Sequence, residues 1–147
     1  MITTATQPTS TLTIPLPLGN VLLAEDDPDL LDLLSCYLRR RGYRVFCVRD
    51  GTALLKRIDE STPVGSLPPI DVIVSDVYMP GLDGLEALQE LQDDGRRIPM
   101  ILMTAFGSHD VHEQGRRQGA SLVLDKPFEL DDLLSAVDEA RFGRMAG

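Results

Sequence analysis

The chain has 147 residues, 43% of them hydrophobic, with three Tyr, four Phe and no Trp; that is one domain's length with an aliphatic core. Fourteen basic residues stand against 23 acidic ones, a formal charge of −9, and a surface of that sign excludes nucleic acid and anionic membrane as directly bound partners. No apolar run is long enough to span a bilayer and the N-terminus lacks the basic-then-apolar order of a signal peptide, so the expected location is the cytoplasm.

Residues 1–19 carry no charged side chain, six Thr and three Pro. Such a segment has little to bury and is expected to be a disordered tail. From Asn20 to about Phe142, apolar runs alternate with helical periodicity as one domain, and residues 143–147 are expected to form a short C-terminal tail. The first run, Val21-Leu22-Leu23-Ala24, predicts a strand that ends in Glu25-Asp26-Asp27. A helix near 28–41 follows, with Leu30, Leu34, Tyr37 and Leu38 on one face, Asp27 as N-cap, Pro28 in the first turn and Gly42 as its stop. Val45 to Val48 predicts a second strand, and 51–60 a short helix. Ser61 to Pro69 holds three prolines and a glycine, which reads as a loop. The third strand, 71–76, ends in Asp76 and runs into the turn Met79-Pro80-Gly81-Leu82-Asp83-Gly84. A helix near 84–94 presents Leu85, Leu88 and Leu91. The fourth strand, 99–103, ends in Thr104-Ala105, and a polar helix near 108–118 follows. The fifth strand, 122–124, leads to Lys126-Pro127. A last helix near 129–142 presents Leu130, Leu133, Leu134 and Val137 at i, i+3, i+4 and i+7.

Five β-α units whose strands are apolar without alternation predict an α/β fold around a parallel sheet buried on both faces. In such sheets ligands bind beyond the carboxyl ends of the strands, where the winding reverses. Carboxylates, a hydroxyl and a lysine stand at those ends: Glu25, Asp26, Asp76, Thr104 and Lys126. Each has an ordinary role when taken singly. Asp76 can cap a turn, Glu25 and Asp26 can be solvated charges before a helix N-terminus, Thr104 can bond to backbone and Lys126 can lie on the surface. Their joint placement at successive strand ends is not explained that way. Three converging carboxylates repel one another, and a hard cation with oxygen ligands, Mg²⁺, resolves the repulsion. Phosphoryl transfer needs chiefly positioning and neutralisation of charge, which this set can supply.

Cys36 and Cys47 form no motif and are expected to be small buried hydrophobes rather than redox or metal groups. Twelve of the fourteen basic residues are Arg, which sets Lys126 apart; Lys56 reads as a solvated helix charge. His109 and His112 stand near Glu113 as a conceivable metal pair, but the polar stretch around them reads as a solvated helix face. No Gly-rich phosphate loop opens a helix, so nucleotide binding is not indicated.

Five segments, in order and spacing, resemble the response-regulator receiver domain of two-component signalling. They are Leu-Leu-Ala-Glu-Asp-Asp-Pro, Ser-Asp-Val-Tyr-Met-Pro-Gly-Leu-Asp-Gly, Met-Thr-Ala, Gly-Ala and Lys-Pro-Phe. The resemblance, with the right-handed crossover rule, implies a flavodoxin-like doubly wound sheet of order 2-1-3-4-5. It implies that Asp76 is the phosphoacceptor, that Asp26 binds Mg²⁺ directly and that Glu25 completes the acidic pair. The Tyr78 backbone carbonyl would add a metal ligand, and Thr104 and Lys126 would contact phosphoryl oxygens. It also implies a cis peptide before Pro127. The implied partners are a histidine kinase or phosphotransfer protein, a downstream protein target or output domain, and a possible homodimer. The implied activity is self-phosphorylation and dephosphorylation only, in a bacterial phosphorelay.

The chain departs from the family pattern at Val123, where receivers commonly carry Tyr or Phe that moves inward with the threonine. A muted or differently placed response of the signalling face formed by the fourth helix, fifth strand and fifth helix is therefore expected, and a phosphate-independent interaction scaffold is the alternative function. Tyr78 and Phe106 stand where the resemblance places the path of a hydrolytic water, so a long-lived acyl phosphate is expected. A dehalogenase-like phosphatase would need an acidic residue two positions after its nucleophile, and Tyr78 cannot serve there.

Overall fold

In a computed structural model, residues 15–61, 67–105 and 108–146 are described, with side chains to residue 143. The elements in chain order are β1 (Asn20–Ala24), α1 (Pro28–Arg40), β2 (Arg44–Val48), α2 (Gly51–Asp59), β3 (Val72–Asp76), α3 (Gly84–Asp93), β4 (Met100–Ala105), α4 (His109–Arg117), β5 (Leu122–Lys126) and α5 (Leu130–Ala146). All strand pairs are parallel and the order is β2-β1-β3-β4-β5, as expected.

Period-two alternation sends successive residues of each central strand to opposite faces. Leu22, Ile73, Met100 and Leu102 join a core with Leu54, Ile58 and Leu88 of α2 and α3. Val21, Leu23, Val74, Ile101 and Met103 join a second core with Leu34, Leu38, Leu133 and Val137 of α1 and α5. Both faces are covered, which is why the runs are apolar without a polar phase. Three helices start on aspartates whose side chains accept backbone N–H bonds: Asp27 before α1, Asp50 before α2, and Asp83 before α3 in a reciprocal box with Glu86. Each such cap contributes about 1 kcal/mol. Those at Asp27 and Asp83 fix helix starts directly after the loops that follow β1 and β3 and carry the site.

The expected elements form, with corrections at their edges. The buried residues of α1 are Leu31, Leu34, Ser35 and Leu38, so Leu31 belongs to the inner face and Leu30 and Tyr37 are only half-buried beside it. Both cysteines are exposed, against expectation. Cys36 falls outside the α1 stripe, and Cys47 lies on the edge strand β2, whose outer positions have no covering layer. The last helix continues to Ala146 rather than yielding to a tail near 143. Arg, Met and Ala favour helix and no proline intervenes, so a single Gly143 does not end it. Residues 1–14 of the expected N-terminal tail and residues 62–66 of the loop lie outside the described residues. Leu18, nearer the domain, is tied to it by its N–H donating to the Gly42 carbonyl at 2.9 Å.

Candidate phosphoacceptor site

The parallel sheet brings the carboxyl ends of β1, β3, β4 and β5 to one edge, and the five polar residues at those ends meet there. Glu25 follows β1, and its N–H donates to the Val48 carbonyl at 3.1 Å, which continues the sheet one step beyond the strand. Only 1% of Glu25 is exposed. Its Oε2 accepts the Asp27 N–H at 3.0 Å and its Oε1 accepts Lys126 Nζ at 2.9 Å. Lys126 Nζ also donates to Asp76 Oδ2 at 3.1 Å. One ammonium thus bridges the ends of β1 and β3 from β5. Asp26 sits farther out, its backbone carbonyl held by Arg49 at 3.1 Å. Oxygens of Glu25, Asp26 and Asp76 all lie within 4.8 Å of one another, the only such cluster of potential metal ligands among the described residues.

Thr104 is fully buried, and its Oγ1 has no hydrogen-bond partner among the described residues. A buried hydroxyl without a partner costs roughly 1–3 kcal/mol, which a protein retains where a ligand completes the bond. The backbone at Asp76 is fixed by close approach. The Gly84 N–H donates to the Val77 carbonyl at 2.8 Å, and a Cβ on Gly84 would lie 2.4 Å from the Asp76 carbonyl oxygen. Any side chain at position 84 would push the loop after β3 outward. The Lys126–Pro127 peptide is cis.

Three carboxylates face one ammonium, and burial decides the balance. Desolvation raises the Glu25 carboxyl above its ordinary value of 4.5; the Lys126 bond opposes this only in part, and the Asp76 charge adds to it. Burial alone would lower the Lys126 ammonium, but Glu25 and Asp76 outweigh it and hold that proton more tightly than usual. For Glu25 the folded state binds its proton more strongly than the unfolded state, so it costs stability at neutral pH, and the cost fades as pH falls through the raised value toward 4.5. Without divalent cation, Glu25→Gln is expected to be more stable than wild type at about pH 7, with the gap in thermal midpoint closing toward about pH 5. A gap of constant size across that range, read by scanning calorimetry, counts against this assignment.

Residues 21–138 match the family described as the response regulator receiver domain. The chain belongs to this family. Over 125 residues it is 36% identical to the transcriptional activator protein PfeR of Pseudomonas aeruginosa, covering 85% of this chain and 38% of that protein. It is 37% identical to the C4-dicarboxylate transport transcriptional regulatory protein DctD of the same organism, covering 82% and 24% respectively. The receiver therefore spans well under half the length of these relatives. A response regulator receiver domain from Clostridium thermocellum superposes with a TM-score of 0.79 at 26% identity, covering 88% of this chain and 98% of that one. The receiver is thus a signalling domain of two-component phosphorelays. No helix among its described residues is long and apolar enough to cross a membrane.

Of the residues expected at the receiver site, Glu25, Asp26, Asp76, Thr104 and Lys126 converge, and Phe106 lies outside the described residues. Tyr78 is 59% exposed and forms part of the rim. His112 Nε2 bonds Asp125 Oδ1 at 2.6 Å, so that helix face is not simply solvated. Two features were not foreseen. One is the close approach of Gly84, marked in the sequence only by its place after Asp83. The other is the apolar wall of the mouth, about 600 Å³, where Leu30, Leu33, Phe128 and Leu130 flank Asp76 and Lys126. The periodicity puts Leu30 and Leu130 on helix faces, but their meeting across α1 and α5 is tertiary.

Proposed function

We propose that this receiver accepts a phosphoryl group on Asp76 from a phosphohistidine of a histidine kinase or phosphotransfer protein, and so switches a protein-interaction surface. The observation that supports this best is the Lys126 bridge to Asp76 and Glu25, together with the buried Thr104 hydroxyl at the end of β4, the strand between those of Asp76 and Lys126, for which the described residues offer no partner. An Asp76 carboxylate oxygen attacks phosphorus, the P–N bond breaks, and its electron pair leaves with the imidazole. The product is an acyl phosphate on Asp76. Lys126 Nζ, already hydrogen-bonded to Asp76, neutralises charge on the transferred oxygens, and Thr104 Oγ1 donates to one of them.

The donor set suits a hard cation: carboxylate oxygens of Glu25, Asp26 and Asp76, with the Tyr78 backbone carbonyl, would hold Mg²⁺. When bound, Mg²⁺ neutralises phosphoryl oxygens and offsets the carboxylate repulsion. The domain catalyses only its own phosphorylation and dephosphorylation. Its output is contact with a downstream protein target or with an output domain, in the bacterial cytoplasm. The transcriptional roles named for its relatives belong to proteins much longer than this chain; with a net charge of −9, this segment is not the part that would hold DNA. The alternative, a phosphate-independent scaffold, draws only on Val123.

Intact mass after incubation with acetyl phosphate tests the proposal. The expected result is a gain of one phosphoryl group that requires Mg²⁺. No gain from acetyl phosphate or from histidine kinases, in protein shown to bind Mg²⁺, transfers the weight to the scaffold.

Tyr78 stands over the same mouth, lining it with Asp76 and Lys126. A ring there hinders an in-line water, so the acyl phosphate is expected to be long-lived. Tyr78→Asn is expected to lose its phosphoryl group several-fold faster than wild type after donor removal. Equal or slower decay sinks the shielding role.

A further inference from the structure

Helix α4 is the most weakly buried of the helices beside the site. Only Val111 and Gly115 of its residues are buried, and its N-cap Ser108 makes no side-chain cap bond. Its last turn is tied to α3 by Gln118, whose side chain donates to the Leu85 carbonyl at 3.0 Å. Midway, the helix backbone lies directly on the sheet. A Cβ at Gly115 would stand 3.0 Å from Val123 Cγ2 and 3.1 Å from Leu102 Cδ1. Position 123, at that contact, holds Val where the family pattern carries the inward-moving aromatic.

One polar contact joins α4 to the site end of β5. His112 Nε2 bonds Asp125 Oδ1 at 2.6 Å, with about a third of each side chain exposed. Asp125 directly precedes Lys126, and in the sheet register it is the cross-strand partner of Thr104. The residue that grips the α4 side chain is therefore flanked, along the chain and across the sheet, by the two groups that meet transferred phosphoryl oxygens. The cleft around it is lined by Ser108, His109, Asp110, Glu113 and Arg116, polar groups that add no apolar packing to the connection.

We propose that the Asp125–His112 hydrogen bond is the positioning link through which phosphoryl occupancy at Asp76 moves α4. The inference rests on the phosphoacceptor reading above. When Lys126 Nζ and Thr104 Oγ1 turn to phosphoryl oxygens, the β5 end shifts with them. The Asp125 carboxylate carries that shift to His112, and α4 follows; its other anchors near there are the packing of Val111 and Gly115 and the Ser108 hydroxyl, which donates to the Ala105 carbonyl at 2.9 Å.

The test uses the full chain. Acetyl phosphate with Mg²⁺ and intact mass first establish Asp76 phosphorylation in wild type and variants. Amide chemical shifts are then mapped with beryllofluoride as the phosphoryl stand-in, its saturation followed at Val77 and Met79. In wild type the amides of Val111 to Arg116 are expected to shift on saturation. In Asp125→Ala and His112→Leu the site amides are expected to respond as in wild type, while the α4 response falls at least threefold. Asp125→Asn keeps an oxygen acceptor for His112 and is expected to retain most of the response, which a loss of packing would not restore. A wild-type α4 response in Asp125→Ala overturns the proposal, as does an Asp125→Asn variant equally unresponsive. No phosphoryl gain in wild type overturns the phosphoacceptor reading, and this link with it. Normal gain with an unaltered α4 response in Asp125→Ala and His112→Leu overturns the link alone.

Discussion

Asp76→Asn is expected to show no phosphoryl gain under conditions in which wild type gains one group with acetyl phosphate and Mg²⁺. The amide is a poor nucleophile at oxygen and cannot form a stable acyl phosphate. Its carbonyl can still accept the Lys126 bond that Asp76 Oδ2 now accepts at 3.1 Å, so the site keeps its shape. The substitution also removes one of three carboxylates clustered within 4.8 Å. The thermal midpoint without Mg²⁺ is therefore expected at or above the wild-type value. Loss of phosphorylation in a protein of undiminished stability separates chemistry from misfolding. A full mass gain in Asp76→Asn would place the acceptor elsewhere.

Lys126→Met is expected to have the second largest effect, on stability as well as chemistry. Lys126 donates to Glu25 at 2.9 Å and to Asp76 at 3.1 Å, and Glu25 is only 1% exposed. Removing one partner of a buried pair leaves a charge without compensation, so without divalent cation at about pH 7 the loss is expected to be about 3 kcal/mol, at the low end for buried pairs because Lys126 itself is 27% exposed. For a domain of this size that corresponds to a fall of roughly 10 °C in thermal midpoint. Burial already raises the Glu25 carboxyl, and without its ammonium it rises further, so lower pH should recover much of the loss. Phosphorylation is expected to be slower as well, since one cation at the transferred oxygens is gone. Lys126→Arg keeps the charge but replaces a compact ammonium with a planar fork that cannot meet both carboxylates in the same geometry. It is expected to recover part of the stability and little of the rate. A Lys126→Met midpoint equal to that of wild type would show that solvent or rearrangement already screens the carboxylates.

Much of the site was legible because the apolar runs end where the chemistry begins. A strand buried on both faces leaves its polar residues at its end. Glu25, Asp26, Asp76, Thr104 and Lys126 therefore announced themselves by position as well as by type. The caps at Asp27, Asp50 and Asp83 obey local rules, and Asp27, with Pro28 behind it, is the plainest of them in the sequence. The exposed cysteines mark the limit of that logic. Cys47 looks buried in a string of apolar letters, and only the place of β2 at the sheet edge leaves it uncovered. Leu31 and Cys36 show the same limit in a helix, where a shift of one residue moves a side chain about 100° around the axis.

The amino-acid sequence by itself determined the α/β alternation, the two-sided burial of the sheet and the identity of the converging polar groups, because periodicity and strand-end placement are properties of short segments. The tertiary structure alone decided which groups touch. It set Lys126 between Glu25 and Asp76, left the Thr104 hydroxyl buried without a partner among the described residues, pressed Gly84 against the Asp76 backbone and joined His112 to Asp125. Those contacts depend on sheet register and helix packing between residues up to about a hundred positions apart, and no local pattern encodes a distance of that kind.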